Sequence, residues 1–275
     1  MANVKAVYQR PLSQLETLGS QLAFYLRVLL AIPKSVARYP REVLRILAEV
    51  TLGSGALAVI GGTVGVIIGM TFFTGAQVGL SGYAALNQLG TAPFAGFVSA
   101  YFNTREIAPL VAGIALAATV GCGFTAQLGA MRISEEVDAL EVMAIPSMPF
   151  LVATRVVGGL IAVIPLYVVG LLSSYFAARL IVTQYYGQSA GTYDYYFNAF
   201  LPPGDVLWSF GKVLVFAVVV ILIHCYHGFN ASGGPAGVGV AVGRAVRTSI
   251  VAINVIDLLL SMAIWGATTT VRLAG

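Results

Sequence analysis

The sequence predicts an all-α integral membrane protein with about five spanning helices, and three observations predict it. Of 275 residues, 58% are hydrophobic and 9% are charged, with a mean hydropathy of +0.88. A soluble domain carries about 25% charged residues, so most of this chain's exterior faces something other than water. Second, apolar stretches recur at the length needed to cross a bilayer, roughly 20 residues of helix. Third, the net charge of +4 comes from basic residues gathered near the N-terminus, which bears on topology rather than on nucleic acid. The first long apolar run starts near Gly55, too late for a signal peptide. Cys122 and Cys225 lie at the ends of apolar stretches and suggest no disulfide framework.

The first expected element is amphipathic and covers about 8–37. Leu12, Leu15, Leu18, Leu22, Tyr25, Leu26 and Leu29 recur at helical spacing, while Gln14, Glu16, Thr17, Gln21 and Arg27 fall elsewhere on the wheel. That fits a helix lying in the membrane interface, although a helix docked on a soluble partner would share the period. Lys34, Arg38, Arg41 and Arg45 follow. They mark the N-terminal end as cytoplasmic, which makes this a multi-pass protein of the cytoplasmic membrane.

Spanning segments are expected at about 53–80, 92–128, 156–182, 206–226 and 248–271. The second is long and contains Pro93, Arg105, Glu106 and Pro109, so it reads as a broken or strongly tilted helix, with six crossings as the alternative count. Alternation places 129–155 inside, 183–205 outside, 228–247 inside and the C-terminus outside. Residues 183–205 lack Lys and Arg but hold Tyr185, Tyr186, Tyr193, Tyr195 and Tyr196, which suits an outer interface. Arg244 and Arg247 fit an inner loop.

No GxxxxGK[ST] motif occurs, so any ATP-driven activity must borrow its motor. Gly61, Gly65 and Gly69 form two overlapping GxxxG units that suit close helix packing, within this chain or against another subunit. Gly129 and Gly158–Gly159 read as ordinary packing. His224 and His227 lack a third ligand nearby, and no metal site is expected. Asn230-Ala231-Ser232 matches a glycosylation acceptor but lies on the expected inner side.

Two charged features stand out. Arg105 and Glu106 sit inside an apolar segment, where ionisable groups cost several kcal/mol unless they pair or face water. They read either as a polar patch on a transport path or as a structural ion pair, and Asp257 in the fifth span reads the same way. The second feature is the loop Arg132-Ile133-Ser134-Glu135-Glu136-Val137-Asp138-Ala139-Leu140-Glu141-Val142-Met143-Ala144-Ile145-Pro146. Ser134 is expected to cap a helix over 134–146 with Glu135, Glu136 and Asp138 in its first turn. Val137, Leu140 and Met143–Ala144 would form its apolar stripe. Four acids, with Glu141 the last, would be out of place on an anionic leaflet, so the helix reads as a docking element for a cytoplasmic partner.

These residues also carry a resemblance. Gln127-Leu128-Gly129-Ala130-Met131 running into the acidic loop is similar to the signature of the MlaE/YrbE permeases. Phe150-Leu151-Val152-Ala153-Thr154-Arg155 matches too, although the family usually has proline where Thr154 stands. Further matches are Arg105-Glu106-Ile107-Ala108-Pro109, the Gly233–Gly239 loop with Arg244, and the segment carrying Asp257. Met143-Ala144-Ile145-Pro146 departs from the more usual Met-Gly pattern. Within the family the chain most resembles the actinobacterial YrbE "B" permeases of Mce systems.

The resemblance implies an interfacial elbow helix, five spans and a permease dimer, usually a heterodimer with a paralogous YrbE "A" permease. It implies two copies of a cytoplasmic ABC ATPase, which hold the ATP and Mg, and a ring of Mce proteins carrying membrane lipids. Residues 135–143, with Glu135, Glu136, Asp138, Leu140, Glu141 and Met143, would meet the ATPase, and Arg105 and Glu106 would lie near the lipid cavity. The leading expectation is therefore a permease subunit moving fatty-acid-like or other hydrophobic lipids, with no catalysis of its own. An ion-coupled secondary transporter using Arg105, Glu106 and Asp257 is the alternative, weakened by the absence of an internal repeat. A non-transporting scaffold for the ring is another. An intramembrane enzyme is disfavoured, because no nucleophile–base pair is visible.

Overall fold

The computed structural model describes residues 2–52 and 62–266, and these form helices joined by short turns. Helix α1 spans Ala2–Arg38 and α2 spans Pro40–Leu52. The membrane-length helices are α3 (Thr63–Gln88), α4 (Ala92–Ile133), α6 (Met148–Tyr185), α8 (Pro203–Phe229) and α9 (Gly234–Trp265). Between them lie α5 (Glu136–Val142) and α7 (Ala190–Ala199). All five long helices are apolar enough to cross a membrane. The chain is thus an all-α membrane protein with an amphipathic N-terminal helix and five candidate spans.

Several boundaries differ from expectation, each for a physical reason. The first span was expected from 53; residues 53–61 lie outside the described residues, and α3 runs on to Gln88. The expected inner loop 228–247 is mostly helix. Only 230–233 connect α8 to α9, turning on Gly233 and Gly234 at φ 87° and 71°, values open chiefly to glycine. Arg244 and Arg247 stay exposed on α9, so they did not need a loop. Its inward face is a ridge of Ala241, Ala245, Ser249, Ile253 and Asp257, one residue every four. The expected outer loop 183–205 contains α7, whose Tyr193 is buried against Ala95 and Val182. That burial pushes the Tyr193 phenol up to about 12.

Helix α4 forms the centre of the bundle, with 61% of its most apolar window buried against 17% for α9. It is continuous rather than broken. Two stretches of wider π-type turn, Ser99–Ile107 and Ala117–Gly121, absorb its irregularity. Helices α3 and α6 approach closely at Gly75 and Gly79: a Cβ on Gly75 would lie 2.3 Å from the Ser174 carbonyl oxygen. The expected packing glycines behave differently. Gly61 lies outside the described residues, Gly65 is half-buried, and a Cβ on Gly69 would meet nothing within 4 Å. Gly129 and Gly158–Gly159 do pack, against Val238, Ile46 and Ile221.

In α1 the residues that turn inward are Phe24, Val28 and Ser35, while Leu22, Leu26 and Leu29 of the expected stripe face outward. Leu12, Leu15 and Leu18 lie where only the backbone is described. An outward apolar stripe on a helix held to the bundle by its other face suits burial in lipid.

Candidate functional site

A charged cluster joins α4, α8 and α9 inside the membrane-length bundle. Its origin is local. Pro109 has no N–H to give the carbonyl four residues earlier, so the Arg105 carbonyl needs another donor. Lys212 of α8 supplies it: its fully buried Nζ donates to Arg105 O at 2.7 Å and to Ser261 Oγ at 2.8 Å. The same ammonium lies 2.7 Å from Asp257 Oδ1 and 3.3 Å from Glu106 Oε2. A buried ammonium at 0% exposure persists only with such partners.

Arg105 is held separately. Its guanidinium contacts Asp205 Oδ2 at 2.6–2.7 Å through Nε and a terminal nitrogen. It lies 4.1 Å from the Tyr101 ring centroid and 5.3 Å from that of Trp265. Trp265 Nε1 donates to Asp205 Oδ1 at 3.0 Å. Two cations and three carboxylates therefore tie together the ends of α8 and α9 and the wide turn of α4.

Of the three residues expected on a substrate path, all fall in this cluster, with different freedom. The Arg105 and Asp257 side chains are 18% and 12% exposed, whereas that of Glu106 is 38% exposed and holds the longest contact to Lys212. Glu106 is the member best placed to meet another molecule. Sequence reasoning passed over Lys212 and Asp205. A single lysine in the apolar 206–226 stretch was a readable signal, but its partners Arg105 and Glu106 lie more than a hundred residues upstream, and Asp257 and Ser261 lie on the next helix of the bundle.

The acidic loop forms a different arrangement. Ser134 does not cap α5, contrary to expectation. It ends α4, its Oγ bonding back to Ala130 O at 3.0 Å, and Glu135 then turns through the left-handed region at φ 62°. The helix is correspondingly short, Glu136–Val142 rather than 134–146. Val137 is buried and Leu140 half-buried against the bundle, but Met143 leaves the expected stripe. Val142 and Met143 project at 88% and 61% exposure. The acids are partly used within the loop: Asp138 pairs with Arg132 at 2.6 Å, Glu136 accepts from Ser134 at 2.9 Å, and Glu141 accepts from Ser147 at 2.6 Å.

Behind the loop, Arg155 is buried under Phe124 and donates to Leu151 O at 2.7 Å and Gln127 Oε1 at 3.3 Å. Gln127 in turn donates to Glu49 of α2. The two ends of the quoted signature are thus joined directly, and α2 is tied to them through Glu49. Thr154, where the family usually has proline, bonds its hydroxyl to Phe150 O at 2.5 Å. His224 is buried and bonded through Nδ1 to Thr125 Oγ1 at 2.8 Å. No group of three or more His, Cys, Asp or Glu able to hold a metal occurs among the described residues.

Five membrane-length apolar helices, a charged cluster among three of them and an exposed loop between α4 and α6 define a polytopic helical membrane protein. The family described as Permease MlaE matches residues 53–263, and the chain belongs to that family. It is 30% identical over 191 residues to a probable ABC transporter permease protein of Rickettsia bellii, covering 70% of this chain and 74% of that one. It is 29% identical over 203 residues to the chloroplastic protein TRIGALACTOSYLDIACYLGLYCEROL 1 of Arabidopsis thaliana, covering 72% and 57%. Identity is 26% over 196 residues, 71% and 75% of the two chains, to the intermembrane phospholipid transport system permease protein MlaE of Haemophilus influenzae.

Proposed function

We propose that this chain is the permease subunit of an ATP-driven lipid transporter of the Mce type. It would pair with a paralogous permease, stand on two cytoplasmic ATPases and pass fatty-acid-like or other hydrophobic lipids to or from an Mce ring. The observation that carries the proposal is the loop at 134–147. It presents the exposed apolar pair Val142–Met143 directly after the acids that end at Glu141, in a chain with no nucleotide-binding motif of its own. An exposed apolar tip beside a run of acids is a surface for a protein partner rather than for water. The phospholipid and ABC-transporter names of the relatives agree with this reading. In this arrangement the N-terminus is cytoplasmic, the membrane is the cytoplasmic one, and Glu106 faces the lipid path from within the charged cluster.

Charge reversal at Glu141 would also break its bond to Ser147, so the sharper test is Val142→Asp with Met143→Asp. The variant should insert and keep its thermal stability while losing co-purification with the ATPase and lipid-stimulated hydrolysis. Unchanged association and hydrolysis would remove the docking role. The Lys212–Asp257–Glu106 triad also suits an ion-coupled transporter, a second reading. Uptake that persists without ATP but collapses with the ion gradient would establish that one instead.

A further inference from the structure

A basic crevice lies where α1 ends, and none of its lining residues belongs to the Lys212 cluster. One cavity of about 390 Å³ is lined by Arg38, Tyr39, Pro40, Arg41, Glu42 and Phe150. A neighbouring one of about 400 Å³ is lined by Lys34 and Arg38 of α1 and by Glu141, Ala144, Ile145 and Pro146 after α5. Arg38 belongs to both. The walls are fixed rather than loose. The buried Ser35 hydroxyl donates to Pro149 O at 2.8 Å, and Tyr39 meets Phe150 edge-to-face at 5.1 Å.

The charges around these cavities are unbalanced. Lys34, Arg38 and Arg41 are exposed and form no ion pair among the described residues. Of the two carboxylates on the same walls, Glu42 is paired with Arg45 through two contacts of 2.5 and 3.0 Å, while Glu141 accepts a hydrogen bond from the neutral Ser147 and keeps its charge. The Arg45 guanidinium is accordingly raised above its ordinary value by its bond to Glu42. Three cations thus share these cavities with one carboxylate unpaired among the described residues, Glu141, which leaves the walls net positive.

The same helix supplies an apolar approach. Leu22, Leu26, Leu30, Lys34 and Arg38 follow one another at four-residue spacing, and the three leucines are 60%, 52% and 80% exposed. Neighbours at that spacing adjoin on a helix surface, so an exposed apolar ridge runs about 18 Å from Leu26 to Arg38 and ends in cations. A ridge that is apolar along its length and cationic at its end complements a molecule that is apolar along its length and anionic at its head.

We propose that this crevice binds the phosphate headgroup of an anionic membrane lipid, with its chains along Leu26 and Leu30. The occupant would bridge the end of α1 to the residues following α5. The proposal does not require the transport reading, and its test uses no transport assay. Purified chain in mixed micelles of phosphatidylcholine and phosphatidylglycerol would be analysed by native mass spectrometry for the lipid it retains. The expected result is a preference for phosphatidylglycerol. It should fall about fivefold in Arg38→Gln and roughly a hundredfold in Lys34→Gln/Arg38→Gln/Arg41→Gln, and Arg38→Lys should retain most of it.

Absence of a preference in the wild-type chain, or an unchanged preference in the triple variant, would overturn the proposal. Loss of the preference on adding inorganic phosphate would reassign the crevice to free phosphate. An unaltered preference combined with loss of ATPase co-purification in the triple variant would make it a protein-binding surface. If the triple variant does not fold, the Arg38→Gln and Arg38→Lys pair still decides.

Discussion

The charged cluster around Lys212 and the acidic loop around α5 use the same residue types to opposite ends. In the cluster every ionised group lies within ion-pair distance of another, and Lys212 of α8 reaches two carboxylates, a carbonyl and a hydroxyl from two other helices. In the loop the contacts join residues at most six apart in sequence, and Val142 and Met143 point away from the fold. Charges buried among helices hold the protein together, and charges beside an exposed tip leave a surface for something else. The difference lies in sequence separation and dryness, not in composition.

Removing one partner from the dry cluster should therefore have the largest effect on stability. Lys212→Met leaves Asp257 and Glu106 facing each other without a cation, and breaking a buried pair costs about 3–5 kcal/mol. Thermal unfolding in detergent should show a large loss, part of which returns when Asp257→Asn is added. A Lys212→Met protein as stable as the parent would mean that the cluster is hydrated and the contrast with the loop is false.

The outer part of the cluster should be more forgiving, because Asp205 and Arg105 retain some access to solvent. Asp205→Asn weakens the guanidinium contact and the Trp265 acceptor together, for a cost of about 1–3 kcal/mol. With Trp208→Phe removing the other tryptophan, the emission of Trp265 should shift in the Asp205→Asn protein. An unchanged spectrum would place Trp265 away from this carboxylate.

The same contrast explains what could be read from the chain. Arg105, Glu106 and Asp257 announce themselves because a charge within an apolar run needs a reason. Lys212 carried the same signal within the most apolar of the five helices, yet its partners are a matter of tertiary contact that spacing does not encode. The α9 ridge ending at Asp257 was legible at four-residue period, but Arg244 and Arg247 on the opposite face imitated a loop. Ser134 failed for another reason. Serine before acids suits the start of one helix and, by bonding back to a carbonyl, the end of another, and Glu135 in the left-handed region decided it.

At the loop, Asp138→Asn should lower stability by less than about 1 kcal/mol, since its pair with Arg132 is half in water. Its distinguishing consequence is selectivity. The fold should survive while ATPase association weakens less than in the Val142/Met143 variant, because an acid at the rim steers and an apolar anchor holds. Equal losses from both variants would mean that the charges, not the exposed tip, carry the docking.

The smallest effect is expected from a pair outside both regions. Asp194 of α7 accepts from Arg179 through two contacts of 2.8 Å, and those bonds hold its carboxyl below the usual value. A group whose folded value is depressed stabilises above its unfolded value near 4 and loses that contribution as pH falls through the folded one. Both side chains are nearly half exposed, so water screens the pair and its worth is at most a few tenths of a kcal/mol. Thermal unfolding of Asp194→Asn should match the parent at acidic pH and fall only slightly below it at neutral pH. A difference as large as that of Asp205→Asn would show that α7 is clamped onto α6 by charge rather than by the burial of Tyr193. The rule that dryness and not pairing sets the strength of these contacts would then fail at its most exposed member.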